Sequence, residues 1–292
     1  MATIKEFDDK LDSLHNTEKM TRTMKLVSMS KLYRAQEDQR RSSVYARELN
    51  LLISRLSAAA RESAHPLLKA RPDVKNVLIL VFTSDKGLCG GFNNNLIKFV
   101  KAWIAENDSA YENIMLSFCG KRGYAHFRKG AFLENYYEGV TSYPNFDNAV
   151  RVSLDLAQQF VNGDYDEVYL VYNTYVSALS QKPTISKLLP IDPMTFKGNE
   201  TESKIINAEY LFEPRKGRLL KFLIPKYIYF KMYYTLLENA AGEHGARMTA
   251  MDSATKNAED LIRKFTLLRN RARQAAITTE LIEIVSGAEA LK

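Results

Sequence analysis

The stretch "MDSATKNAEDLIRKFTLLRNRARQA", residues 251–275, carries apolar or small side chains at two positions of every seven. The first series is Met251, Ala258, Phe265 and Ala272, and the second, offset by three residues, is Ala254, Leu261, Leu268 and Ala275, continuing to Ile282. Two such positions per heptad form the seam of a coiled coil, because residues three and four apart lie on one side of a helix. The sequence therefore predicts a long C-terminal coiled-coil helix over 215–292.

The N-terminal segment shows a weaker version of the same pattern. Its apolar residues at helical spacing are Ile4, Phe7, Leu11 and Leu14, and later Val44, Leu52 and Leu56. All eight prolines of the chain lie between Pro66 and Pro225, and proline breaks helix interiors, so a second long helix is predicted over 1–65. Between Thr17 and Ser30 the seam becomes polar and rich in methionine. This part is either an irregular coil or a surface for another protein.

The middle of the chain, 74–214, alternates between two kinds of segment. Runs typical of buried strands are VLILVFTS, NIMLSFCG and EVYLVYNTYV, with PTISKLLP as an edge strand. The segments NNLIKFVKAWIAEN and NAVRVSLDLAQQFVNG between them have helical periodicity. Alternating strands and helices predict an α/β domain of Rossmann-like type with a mainly parallel sheet.

Composition excludes several classes of protein. With 292 residues, 46% hydrophobic and 26% charged, the chain is typical of globular proteins, and no apolar run approaches the roughly 20 residues that span a bilayer. The N-terminus lacks the features of a signal or transit peptide, which favours a cytoplasmic location. Cys89, Cys119 and the four histidines show no metal-binding spacing, so we expect no metal and no cofactor. The net charge of +7 is spread among acidic residues, which favours a solvated surface over a nucleic-acid site.

A glycine-rich turn, "TSDKGLCGGFNNN" at 83–95, follows the first predicted strand, where many enzymes bind a phosphate. Its glycines match neither of the nucleotide-binding motifs G-x-G-x-x-G and G-x-x-x-x-G-K-[ST]. In addition, Lys86 precedes the glycines, whereas a lysine that binds phosphate should follow them. The glycines are instead expected to allow a tight turn at positive φ, with Asp85, Lys86 and the asparagines 93–95 capping or facing a partner. Cys89 is expected to be a buried thiol. No catalytic constellation is evident, so we do not expect an enzyme.

Several motifs along nearly the whole chain resemble those of one family. They are NTEKMTRTMKLVSMSKLYRAQ (16–36), SDKGLCGGFNNNL (84–96), PTISKLLP (183–190), ARMTAMDSAT (246–255) and RARQAAITTELIEIVSGAEAL (271–291). The last contains Ile277, Thr278, Glu280, Glu283, Gly287 and Ala288 in the family's I-T-x-E-x-x-E-x-x-x-G-A pattern. The sequence resembles the gamma subunit of the F-type ATP synthase, of the bacterial type, since the cysteine-containing insertion of the chloroplast type is absent.

The resemblance implies a rotor shaft in which the terminal helices form an antiparallel two-helix coiled coil inside a ring of alpha and beta subunits. Such a shaft couples ion flow through the membrane c-ring to ATP synthesis or hydrolysis, performs no bond chemistry and binds no nucleotide. It would lie, as a peripheral protein, at the cytoplasmic face of a bacterial membrane. The partners implied are the alpha, beta and epsilon subunits and the c-ring.

The same resemblance assigns roles to residues. The beta-subunit contacts it implies are Met24, Arg247, Gln274, Thr278 and Glu280. The contacts with the membrane ring or the epsilon subunit are Tyr210, Phe212 and Glu213, in "YLFEP".

Two alternatives remain open from the residues alone. One is an enzyme that binds a nucleotide at the turn around Gly87 and uses the helices as dimerisation arms. The other is a homodimeric coiled coil, structural or binding nucleic acid through its positive charge, whose affinity for DNA would fall steeply with salt.

Overall fold

The computed structural model describes residues 4–57, 65–130, 132–192 and 216–290. Its helices are α1 (Ile4–Ser57), α2 (Phe92–Asn107), α3 (Lys121–Phe127), α4 (Phe146–Asn162) and α5 (Lys216–Ala290). Its strands are β1 (Asn76–Phe82), β2 (Asn113–Cys119), β3 (Leu133–Tyr137), β4 (Glu167–Tyr175) and β5 (Gln181–Leu189). The chain forms two compact units, one of residues 1–29 with 247–292 and one of residues 30–246, so α1 and α5 each contribute to both.

The second unit contains a sheet with strand order β3-β2-β1-β4-β5. Strand β1 pairs in parallel with β2 and β4, β2 pairs in parallel with β3, and β5 is antiparallel to β4 at the edge. The predicted mainly parallel sheet and its edge strand are therefore confirmed. The sequence did not predict β3 or α3, because LENYY has no apolar alternation and α3 is only 7 residues long.

Both faces of this sheet are covered, which explains why β1 is a continuous apolar run. Leu78, Leu80 and Phe82 point to one face and pack with residues of α4 and of the first half of α5. Val77, Ile79 and Val81 point to the other face and pack with residues of α2 such as Leu96 and Val100. The alternation of side chains along one strand thus places α4 and α2 on opposite faces.

Helix α5 contains Pro225 within its first turns, inside the range 215–292 predicted for the C-terminal helix. Proline inside a helix costs about 3 kcal/mol because it removes one N–H donor and crowds the preceding turn. Leu220, Ile224 and Ile228 are buried around it, at 1%, 0% and 0% exposure. Burying such side chains stabilises by about 1.5–3 kcal/mol each, so packing outweighs the cost of the proline.

In the first unit the two terminal helices pack together in opposite directions. Near the start of α1, Phe7 contacts Phe265 with ring centroids 6.4 Å apart, and Asp8 pairs with Arg269 at 3.4 Å. Further along α1, Lys25 pairs with Asp252 at 2.5 Å. The residue numbers of the contacting positions decrease along α5 as they increase along α1, so the two helices run antiparallel. The predicted antiparallel coiled coil is therefore confirmed.

The seam of this coil agrees with one of the two predicted heptad series. Met251 and Ala258 are buried, at 5% and 4% exposure, whereas Leu261 of the other series is 42% exposed. Thr255, which follows Ala254, is buried instead, and its hydroxyl lies 2.7 Å from that of Thr21. Residues of a seam are spaced three or four positions apart. After Met251 the next buried residue that contacts α1 is Thr255, four positions later, instead of Ala254, three positions later.

Candidate partner-binding surface of the terminal helices

The polar part of α1 between Thr17 and Ser30 is a regular part of the helix. Arg22 donates a hydrogen bond of 2.9 Å to Glu259, and Lys25 donates one of 2.5 Å to Asp252. The hydrogen bonds from Lys25 and Lys256 lower the pKa of the Asp252 carboxyl. Exposed ion pairs stabilise little, so these contacts chiefly fix which residues of the two helices face each other.

Apolar side chains of the same part of α1 point outward. Met20, Leu26, Val27 and Met29 are 65%, 60%, 52% and 56% exposed. Polar residues such as Thr21 and Thr255 thus share the seam with Met251 and Ala258, while these apolar residues of α1 lie on the surface. Clustered exposed apolar residues are typical of a surface that another protein covers. Both alternatives for 17–30 thus receive an answer: the coil is regular, and its outer face suits a partner.

The C-terminal end of α5 forms a second exposed surface. Every residue from Ile277 to Ala288 is exposed, including the apolar side chains of Ile277, Leu281, Ile282, Ile284 and Val285, at 49–67%. The antiparallel register explains this, because Phe7 already contacts Phe265 and α1 begins only three residues earlier, at Ile4. Within the described residues of this unit, α1 therefore does not extend far enough to cover the tip.

The structure places the predicted beta-subunit contacts in three different environments. Gln274, Thr278 and Glu280 are exposed on the tip of α5, and the Thr278 hydroxyl donates a 2.9 Å hydrogen bond to the Gln274 carbonyl oxygen. Met24 is half-buried on α1, and Arg247 is buried, with 7% exposure. Tyr210, Phe212 and Glu213 lie outside the described residues.

Helical periodicity brings the polar candidates next to apolar ones. Gln274 and Thr278 share a face of α5 with Leu281 and Val285, since these positions follow steps of three or four residues. Sequence reasoning missed Leu281, Ile284 and Val285 as site residues, and it likewise missed Leu26, Val27 and Met29. For Leu281, Ile284 and Val285 the available signal was their position off the heptad seam, where a helix surface is normally polar.

Side chains of the glycine-rich turn form hydrogen bonds within the protein. The Asn93 side chain accepts a 2.9 Å hydrogen bond from the Ser84 N–H and donates one of 2.7 Å to the Ser84 hydroxyl. Asp85 accepts bonds from the Lys121 N–H at the start of α3 and from Ser142. Gly90 has φ of 56°, and Cys89 is 2% exposed. These contacts agree with a structural turn, a capping Asp85 and a buried thiol, as expected from the sequence.

Across residues 4–57, 65–130, 132–192 and 216–290, no group of three histidine, cysteine or carboxylate side chains is arranged to hold a metal ion. None of the helices described has a stretch apolar and long enough to span a bilayer.

Comparison with known proteins identifies the family. The sequence profile of the family described as ATP synthase matches residues 3–291. The ATP synthase gamma chains of Geobacter sp. (strain M21) and Geobacter metallireducens are 41% and 42% identical over 292 residues, covering 100% of both chains in each case. The fold is similar to a chain in the cryo-EM structure of the Euglena gracilis mitochondrial ATP synthase OSCP/F1/c-ring, with a TM-score of 0.65, 18% identity, and 99% and 94% of the two chains covered. The sequence match over the full length, together with the antiparallel terminal coil, shows that this chain belongs to the ATP synthase gamma chain family.

Proposed function

We propose that this chain is the central rotor shaft of a bacterial F-type ATP synthase and couples ion flow through the membrane ring to ATP synthesis or hydrolysis. Its relatives are gamma chains, so it is a non-catalytic subunit of the complex. The observation that carries the proposal is the exposed apolar surface of the terminal coil, formed by the outer face of α1 and the tip of α5. A surface of this kind needs partners that enclose it.

A shaft acts on its neighbours through unequal contacts. A rotating subunit can favour one conformation of a partner only as far as its contact free energy differs between conformations. The surface varies along the coil, because α1 is apolar around Leu26 and Val27 whereas the end of α5 carries Gln274 and Thr278 beside Leu281. In this proposal each of three catalytic subunits around the shaft meets a different side of it.

The partners in this proposal are the alpha and beta subunits around the coil, the epsilon subunit and the c-ring. Met24, Arg247, Gln274, Thr278 and Glu280 are assigned to contacts with beta. Arg247 is buried in this chain, so its assigned role requires either a change of side-chain conformation or an indirect effect on an exposed neighbour.

The remaining assignments concern three residues near the end of the predicted α/β domain, the domain bounds and the location. Tyr210, Phe212 and Glu213 are assigned to the contact with the membrane ring or epsilon. The proposed domains are the helices 1–65 and 215–292 and the α/β domain 74–214, and the proposed location is the cytoplasmic face of the bacterial membrane.

The structure supports a direct experiment, because both native cysteines are buried. Cys89 and Cys119 are 2% and 0% exposed, and desolvation by burial raises the pKa of the Cys119 thiol well above its usual range. A Ser109→Cys substitution in the exposed turn after α2 would thus give one reactive thiol. The variant is assembled with alpha and beta subunits fixed to a glass surface, and a bead is attached to the new cysteine.

Addition of MgATP should produce continuous rotation of the bead in one direction. The unsubstituted chain, treated with the same reagent, should carry no bead and serves as the labelling control. A labelled complex that hydrolyses ATP while its bead stays still would contradict the rotor role. Failure of the chain to associate with alpha and beta at all would contradict the assignment of the coil surface.

A further inference from the structure

A cleft between α2 and α3 belongs to the second unit. Its volume is about 540 Å³, and its lining includes Lys101, Ile104, Asp108, His126, Phe127 and Phe132. We call it the α2–α3 cleft. Its size is within the range of about 300–1,000 Å³ typical of small-ligand sites.

The floor of the cleft is aromatic and well anchored. The Phe127 ring stacks on the buried Phe118 ring, with centroids 5.4 Å apart, so it is fixed to the sheet. The Lys101 Nζ lies 5.8 Å from the Phe127 centroid, and the His126 ring meets the same ring edge-on at 5.0 Å. Phe132 is 45% exposed. An apolar surface and a cation are thus held side by side.

Lys101 lines the cleft, and three further basic residues are neighbours of its lining residues on α2 and α3. Lys98 lies one turn before Lys101 on α2, and Arg128 and Lys129 follow Phe127 directly at the end of α3; all four are exposed. We call these four residues the basic rim. Asp108 is the acidic residue among those that line the cleft. The basic rim thus carries four exposed cations next to the residues that line the cleft.

Some cations of the second unit are held in ion pairs. Arg71 pairs with Asp166 at 2.8 Å, and Lys75 pairs with Glu112 at 2.7 Å. By contrast, no salt bridge within the described part of the chain involves a residue of the rim. Unpaired cations clustered beside a concave surface raise the local concentration of anions.

From this combination we infer that the α2–α3 cleft and its basic rim bind anionic phospholipid headgroups at a membrane surface. Basic side chains next to exposed aromatic rings are the arrangement by which peripheral proteins bind anionic lipids. An acidic polypeptide is the less favoured occupant, because the rim consists of long side chains without fixed hydrogen-bonding geometry. Such side chains suit fluid headgroups better than a single docked chain. The inference does not depend on the rotor role.

The test measures flotation of the full-length chain with vesicles of phosphatidylglycerol and phosphatidylcholine mixed 30:70, against vesicles of phosphatidylcholine alone. The chain should float with the anionic vesicles only, and 0.5 M NaCl should release it because salt screens the attraction. Each cation near an anionic surface strengthens partitioning about fivefold. The double variant Lys101→Glu/Arg128→Glu should therefore bind at least about 25-fold more weakly.

A matched control carries the same change in net charge elsewhere. Arg151, exposed on α4, lies on the opposite face of the sheet, and Lys182 is exposed on the edge strand β5. Arg151→Glu/Lys182→Glu should retain most of the vesicle binding. An equal loss in both double variants would overturn the proposal, since it would mean that net charge alone governs binding.

A third variant tests the apolar part without altering charge. Phe132→Ser should weaken binding to the anionic vesicles about fivefold, because roughly half of that side chain is available for burial. Unchanged vesicle binding by the cleft variants, with loss of binding to poly-L-glutamate instead, would assign the cleft to an acidic polypeptide and overturn the lipid proposal.

Discussion

The exposed tip of α5 gives the sharpest test of how this chain uses its surface. Replacing Leu281, Ile284 and Val285 by serine removes three apolar side chains that are 57%, 67% and 60% exposed. Since none is packed in the described structure, the isolated chain should lose little stability. The main cost is helix propensity, of about 0.5 kcal/mol per serine at an exposed site.

The effect on assembly should be much larger. Complete burial of an aliphatic side chain stabilises by about 1.5–3 kcal/mol, and somewhat more than half of each side chain is still available for burial by a partner. The three substitutions together should therefore weaken association with the alpha and beta subunits by about 3–5 kcal/mol. This corresponds to a loss of about 10²- to 10³-fold or more in affinity.

The assay combines two measurements. Thermal unfolding followed by circular dichroism reports the stability of the chain, and co-purification of subunits at a series of concentrations reports assembly. The matched control, Leu281→Met/Ile284→Leu/Val285→Ile, keeps the tip apolar and should assemble normally. If the serine variant assembled with alpha and beta as tightly as the wild type, our account of the tip as a partner-covered surface would be refuted.

Three further predictions follow from individual side chains. The family resemblance implies that Met24 faces an acidic region of beta. Met24→Lys adds a cation beside Arg22 and Lys25, so charge attraction should hold the rotor and uncouple it; equal ATP-driven ion pumping by variant and wild type would refute this. Asp166→Asn should destabilise the chain by about 2–3 kcal/mol in urea unfolding at pH 7, because the carboxylate accepts bonds of 2.8–2.9 Å from Arg71 and from the Lys75 and Asn76 N–H groups. Desolvation by burial raises the pKa of this carboxyl, but those hydrogen bonds lower it more. The greater stability of the wild type should therefore be complete above about pH 4 and be lost as pH falls through the folded-state pKa. A constant difference in unfolding free energy between wild type and variant down to about pH 2 would contradict this prediction. Burial lowers the pKa of Lys231 to about 8, so Lys231→Met should raise the free energy of unfolding at pH 7 by about 2 kcal/mol. This gain should shrink towards pH 10, because the wild-type lysine then loses its proton. A destabilised variant at pH 7 would mean that the hydrogen bond from Lys231 to the Lys187 carbonyl dominates.

Much of the fold was predictable because its signals are local and repeated. The heptad series through Met251 and Ala258 predicted a coiled coil, and the apolar run of β1 predicted a strand buried on both faces. A local rule disfavours Pro225 inside a helix, and the buried side chains of Ile224 and Ile228 explain why the helix continues through it. Helix α3 and strand β3 were missed because each is too short to display a period.

The candidate site was likewise predictable only in part from the sequence. Family motifs pointed to Gln274 and Thr278, and the structure places both on the exposed tip. Arg247 carries the same kind of motif evidence yet is buried, and no local pattern distinguishes the two situations. The outward apolar face at Leu26 and Val27 becomes visible only when the opposing helix shows which side is inside.

The sequence by itself determined that both ends of the chain are long helices and that the middle is a parallel α/β sheet, because heptads, proline positions and apolar runs act over neighbouring residues. Only the tertiary structure decided the register of the coil. Pairing Thr21 with Thr255 and Phe7 with Phe265 leaves the tip of α5 beyond the reach of α1. Burial depends on contacts between residues more than 230 positions apart in sequence, and no pattern within one helix contains that information.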